Sequence, residues 1–198
     1  MKRLLVVLTT LLITACASNP PEVRHYLLSE PGFEVVDTEL SSQIALGSVR
    51  MAEFISGSGL VVQQSATEIT TTRQHRWGDR LDRQLERQFR QGLSQLYPGS
   101  QWVPLASVGS VKNMNYRLDL YVDAFHITSD NTGRVRVQWF LRNTNDDTLL
   151  TGMIDRHVQL AGEGYDKAVT ALSSAWHQTL VEIGEQVQSS VNKEPLGY

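Results

Sequence analysis

The chain has 198 residues with 18 basic and 21 acidic side chains and 41% apolar residues, enough to close one compact core. A net charge of −3 argues against nucleic acid, whose phosphates call for a basic face. A single cysteine excludes an internal disulfide, so stability has to come from packing.

Residues 1–15 read as a lipoprotein signal peptide. Lys2 and Arg3 supply a basic start, residues 4–14 an apolar stretch of eleven, and Ala15 the small residue a signal peptidase needs before its cut. The run is too short to remain as a membrane span, which takes about 20 residues. Leu12-Ile13-Thr14-Ala15-Cys16 resembles the lipobox of bacterial lipoproteins, and Cys16 is the one cysteine present. Its thiolate is a soft nucleophile able to take a diacylglyceryl group as a thioether, and the new amino terminus is a second acylation point. Two or three acyl chains, palmitate among them, hold far better than one at roughly 0.8 kcal/mol per buried CH₂. Ala17 follows, where Gram-negative lipoproteins kept at the inner membrane usually carry Asp; resemblance to that class implies the outer membrane. Cleavage leaves 183 residues with a charge near −5. Residues 16–22, with Asn19-Pro20-Pro21, form a stiff lipidated tether. A single α+β periplasmic domain over residues 23–191 and a flexible tail over 192–198 complete the chain.

Residues 23–29 predict a first strand, broken by Pro31-Gly32. Residues 42–49, with Ile44, Leu46 and Val49, predict another, and residues 60–63 with 68–72 a hairpin. Gly57-Ser58-Gly59 reads as a turn, since strand residues follow it and no helix is there to cradle an anion. Residues 79–96 predict a helix: Leu81, Leu85, Phe89, Leu93 and Leu96 fall on one face. Its arginines read as a solvated face, with Asp79 and Arg83 paired at i,i+4.

Residues 115–127 alternate, with Tyr116, Leu118, Leu120, Val122 and Ala124 on one side and Arg117, Asp119, Tyr121 and Asp123 on the other. After a turn at 129–133 the alternation resumes with Val135, Val137, Trp139 and Leu141 inward and Arg134, Arg136 and Arg142 outward, where Asp119 and Asp123 are placed to pair across the ladder. Residues 148–160 return as a third strand of this meander. Residues 165–191 predict a second helix, with Val169, Leu172, Trp176, Leu180, Ile183, Val187 and Val191 forming a stripe of about seven turns. The predicted architecture is therefore a largely antiparallel sheet covered by two amphipathic helices in two layers.

Little here points to catalysis. His25, His75, His126, His157 and His177 form no metal-ligand pattern, and there is no nucleophile elbow and no phosphate-binding loop. No cofactor or metal is implied. Trp77, in a polar segment before a helix, and Phe54, beside glycines, are candidates for partner contact because aromatics concentrate at interface centres. Packing into the core is the competing reading for both.

Three stretches together carry a family resemblance: Phe54-Ile55-Ser56-Gly57-Ser58-Gly59-Leu60-Val61-Val62-Gln63, His75-Arg76-Trp77-Gly78-Asp79-Arg80-Leu81-Asp82-Arg83-Gln84-Leu85, and Gly164-Tyr165-Asp166-Lys167-Ala168-Val169 leading to Trp176. With the lipobox, they resemble the PqiC-like ABC-type transport auxiliary lipoproteins over nearly all of the mature chain. That resemblance implies a non-enzymatic, outer-membrane-anchored subunit that docks an MCE-domain (PqiB-like) tunnel protein and forms a ring-like homo-oligomer. The alternatives left by the residues are a lipid-carrying or lipopolysaccharide-assembly lipoprotein, needing an apolar groove, and an envelope hydrolase, for which no nucleophile is in view.

Overall fold

The computed structural model describes residues 22–30, 32, 42–107 and 114–191. The signal peptide, Cys16, the tether as far as residue 21, and the tail lie outside them. The strands are β1 (Arg24–Tyr26), β2 (Gln43–Met51), β3 (Gly59–Gln63), β4 (Ile69–Trp77), β5 (Gln101–Pro104), β6 (Tyr116–Ile127), β7 (Thr132–Arg142) and β8 (Thr148–Gln159); the helices are α1 (Leu81–Leu96) and α2 (Tyr165–Val191). One eight-stranded sheet and two helices make the expected α+β fold in two layers.

The meander is its longest antiparallel part. Leu120 stands opposite Trp139 across β6 and β7, and Trp139 opposite Gly152 across β7 and β8. Beyond β6 the sheet forks: β2 runs parallel to it from Ile44 to Met51, while β3 meets it only at Ile127. The β2 branch adds β5 in parallel. The β3 branch adds β4 antiparallel and then β1 parallel to β4. Parallel pairs need long crossovers: that from β1 to β4 carries β2 and β3, and those from β2 and β3 to β5 and β6 carry α1.

Both helices lie on one side of the sheet. Val135, Val137, Trp139 and Leu141 are all 0% exposed and share one core cluster with the full stripe of α2 and with Leu81, Leu85, Phe89, Leu93 and Leu96 of α1. Each such side chain contributes about 1.5–3 kcal/mol by leaving water. Glycines, Gly152 and Gly184 among them, make room for this packing. A Cβ on Gly152 would stand 2.6 Å from the Trp139 indole, and one on Gly184 of α2 would stand 2.5 Å from the Tyr97 ring.

Several sequence expectations shift. The ladder between β6 and β7 is irregular after Val122: Ala124 lies opposite Arg136 and Phe125 opposite Val135. The bulge at Asp123 therefore turns Ala124 away from the helices and gives Phe125 the inward place. Strand β1 keeps only three residues, because Leu28 N–H donates to Gln84 Oε1 of α1 at 3.0 Å instead of to a strand. Strand β4 runs on to Trp77, and β5 is an added strand. Helix α1 starts at Leu81 rather than Asp79: Asp79 Oδ1 accepts from Arg80 N–H at 2.8 Å while Arg80 stays extended, with ψ 128°. The pair of Asp79 with Arg83 gives way to Arg83 with Glu86 at 3.2 Å and Arg87 with Asp79 at 3.4 Å.

Gly152→Val should lower stability by about 1–3 kcal/mol through overpacking against Trp139, read as a drop in the urea midpoint. Met153→Ala, at the adjacent but 62% exposed position, should leave that midpoint nearly unchanged.

Candidate functional site: the uncovered face of the sheet

Period-two alternation that sends apolar side chains towards the helices sends the others to the opposite face. Among the described residues no helix covers that face, and its chemistry is aromatic and guanidinium-rich. In its middle Tyr121 and Phe140 meet edge to face with centroids 5.6 Å apart. The Arg50 guanidinium lies 5.4 Å over the Tyr121 ring and that of Arg142 5.8 Å over Phe140, within reach of cation–π attraction.

Aspartates hold the arginines in place. Asp119 takes Arg117 at 2.9 Å and Arg142 at 3.5 Å, while Asp146, in the turn before β8, takes Arg117 at 3.2 Å. Asp155 of β8 accepts from both Arg134 and Arg136 at 2.6–2.9 Å. Hydrogen bonds from Arg134, then Arg136, hold its carboxyl well below the usual carboxylate range. Of the cross-ladder pairings expected from sequence, Asp119 with Arg142 forms; Asp123 stands in the bulge, and Arg134 and Arg136 turn to Asp155 instead. Such exposed pairs add at most about 1 kcal/mol each, so their main effect is to fix where the guanidiniums sit.

Phe54 sits where β3 joins the face. The short 3₁₀ turn Glu53–Ile55 is pinned by buried Ile55, by Ala52 N–H donating to Val122 O at 3.0 Å, and by Ser56 Oγ donating to Glu53 O at 2.7 Å. Phe54 is left 38% exposed, its ring edge-on to His126 with centroids 5.8 Å apart. Burial, and after it the charge of Arg134, pushes the His126 pKa down to about 4. Trp77, the other aromatic picked from sequence, is 6% exposed in the core, edge to face with Phe125 at 5.9 Å. The domain presents the Phe54 ring and keeps the Trp77 ring inside. Sequence reasoning missed Arg50, Tyr121 and Phe140 as a cluster; the outward phase of β6 and β7 was the available signal.

The described residues contain no group of three or more His, Cys, Asp or Glu able to hold a metal ion, and no helix long and apolar enough to cross a membrane. Residues 26–184 match the family of ABC-type transport auxiliary lipoprotein components. The chain belongs to this family. It is a family of transport subunits and not of enzymes. The chain is 25% identical over 195 residues to the intermembrane transport lipoprotein PqiC of Escherichia coli K12, covering 95% of this chain and 98% of that one, and equally so to PqiC of Shigella flexneri. The fold recurs in the crystal structure of an uncharacterized protein, with a TM-score of 0.70, 20% identity and coverage of 84% and 99% of the two chains. It recurs also in a protein from Xanthomonas campestris, with a TM-score of 0.67, 12% identity and the same coverage.

With a folded pKa near 4 and an unfolded value near 6.5, His126 binds its proton more readily when the chain is unfolded. Its contribution is thus fully present above about pH 6.5 and is lost as pH falls towards 4, a change of about 1–3 kcal/mol. Urea titrations at pH 7 and pH 4.5 should show a smaller acid loss for His126→Gln than for the parent; equal losses would remove His126 as the source.

Proposed function

We propose that this chain is an outer-membrane-anchored periplasmic lipoprotein serving as the auxiliary subunit of an intermembrane lipid transport system that contributes to envelope integrity. In this reading Cys16 carries the lipid anchor, and the uncovered face with Phe54 at its end receives an MCE-domain tunnel protein of the PqiB type. The observation that carries the reading is the family match over residues 26–184. The face adds independent support, because interfaces favour aromatics and arginine over lysine and glutamate. Trp77 is a supporting residue here: it packs behind the segment that presents the face and acts through the fold.

A ring-like homo-oligomer completes the proposal, since the end of a tunnel is a closed, symmetric target. Strand β8 pairs only with β7 among the described residues and is twelve residues long. A free edge of that length suits the addition of a neighbouring copy. The stand-alone lipid carrier is disfavoured by packing: Trp139, Trp176, Leu180 and Ile183 are 0% exposed between sheet and helix, where an acyl chain would have to lie.

Two measurements check this. Labelled fatty acid should mark the parent and leave Cys16→Ser unmarked, with Cys16→Ser moving from the membrane to the soluble periplasmic fraction; equal membrane retention would sink the anchor. Phe54→Asp should weaken capture of the MCE partner by about tenfold or more, the usual scale of a central aromatic contact, at an unchanged urea midpoint. Unaltered capture would move the docking surface elsewhere.

A further inference from the structure

An open hollow of about 540 Å³ lies where the described chain begins, lined by Glu22, Arg24, His25, Tyr26, His75, Tyr165 and Asp166 among others. It belongs neither to the uncovered face nor to the core. Its wall is rigid. The His75 and Tyr165 rings stack with centroids 3.8 Å apart at 21°, and Tyr26 lies 5.8 Å from His75, the Tyr26 hydroxyl and His75 Nδ1 sharing a hydrogen bond of 2.8 Å. Parallel pairing of β1 with β4 sets Arg24 opposite His75, and Tyr165 opens α2. Three segments far apart in sequence thus build one aromatic wall.

Around the wall both signs of charge are present. Glu22 and Asp166 offer carboxylates, Asp166 shared with Lys167 at 3.6 Å; Arg24 offers a guanidinium and His25 an imidazole. A purely anionic group would meet two carboxylates, and a lone cation would meet the guanidinium. A group with a phosphate beside an ammonium satisfies both, with the ammonium against tyrosine faces and carboxylates and the phosphate at Arg24.

We infer that this hollow binds the zwitterionic headgroup of a phospholipid, phosphoethanolamine or phosphocholine. The hollow's size falls in the range of small-molecule sites, about 300–1,000 Å³. Its position fits a lipid source: only five residues lie between Cys16 and Glu22, so a full extension of about 20 Å keeps the hollow beside the bilayer surface. That step rests on the anchor proposed above; the chemistry of the hollow does not.

The test uses the mature chain as Cys16→Ser, which removes the anchor and so separates the two readings. Dihexanoyl-phosphatidylethanolamine, below its micelle concentration, is titrated against dihexanoyl-phosphatidylglycerol, with glycerophosphoethanolamine and inorganic phosphate as further arms, and amide NMR shifts are followed. The expected result is saturable binding of the ethanolamine lipid, with shifts centred on residues 22–26, 75 and 164–166 and weaker binding of the glycerol lipid. Tyr165→Ala, and the exposed pair Glu22→Gln with Asp166→Asn, should each weaken it about tenfold. The pair carries the test should Tyr165→Ala fail to fold. Equal binding of the two lipids, shifts centred elsewhere, or full affinity in the carboxylate variant would overturn the inference. Phosphate binding as well as the ethanolamine lipid would overturn the zwitterion, and glycerophosphoethanolamine binding while the lipid does not would overturn the membrane source.

Discussion

Everything in this domain hangs on covering the inner face of the meander with α2. Trp139 and Trp176 are both fully buried in the shared core, and neither indole N–H has a hydrogen-bond partner among the described residues. Leaving such a donor dry costs about 1–3 kcal/mol. Burying an indole removes on the order of 200 Å² from water, which at about 25 cal/mol per Å² returns roughly 5 kcal/mol. Apolar burial wins at each site, and it wins only because Gly152 leaves the Trp139 ring somewhere to go. A Cβ at that position of β8 would stand 2.6 Å from the indole, so the seat of the Trp139 ring depends on its absence.

Long periodic segments were legible because one driving force dominates them. The stripe of α2 from Val169 to Val191 and the inward quartet of β7 follow directly from 3.6- and 2-residue periods, and every member is buried. Legibility failed where a non-local contact overrode the pattern. Nothing in the run from Tyr116 to Ile127 signals that Asp123 will be squeezed out and Ala124 turned round, since a bulge is a property of the pair and not of the strand. Strand β5 is four residues long and gains its identity only by lying against β2. Gln84 and Gln88, polar residues on a helix, are both buried, because the backbone of Leu28 and Ser29 needs their amides.

The candidate site shows the same division. Outward alternation placed Arg134, Arg136 and Arg142 correctly, while the partners of the first two come from β8. Phe54 and Trp77 look alike in sequence, each an aromatic near glycine in a polar setting, and their fates diverge for a structural reason. Trp77 ends a strand whose alternation points it at Phe125 under the helices, whereas Phe54 rides a one-turn 3₁₀ segment whose neighbour Ile55 takes the only inward place. The Phe54 ring is thus left 38% exposed against His126, at the end of the face that carries the paired guanidiniums.

The first described residues are fastened to the fold at more than one point. Strand β1 contributes just three paired residues, Arg24 to Tyr26, and a ladder of that length is a weak fastening. The chain beyond it is tied to both helices: Leu28 N–H donates to Gln84 Oε1 at 3.0 Å, Gln88 Nε2 donates to Ser29 O at 2.8 Å, and Ser29 N–H donates to Ser173 Oγ of α2 at 3.1 Å. Net values of about 1 kcal/mol per bond are modest. They act in parallel, however, and with Leu28 buried in the core they have to break together for the segment to come away. A displacement of this segment is thereby passed into α1 and α2 at once, and from them into the sheet they cover.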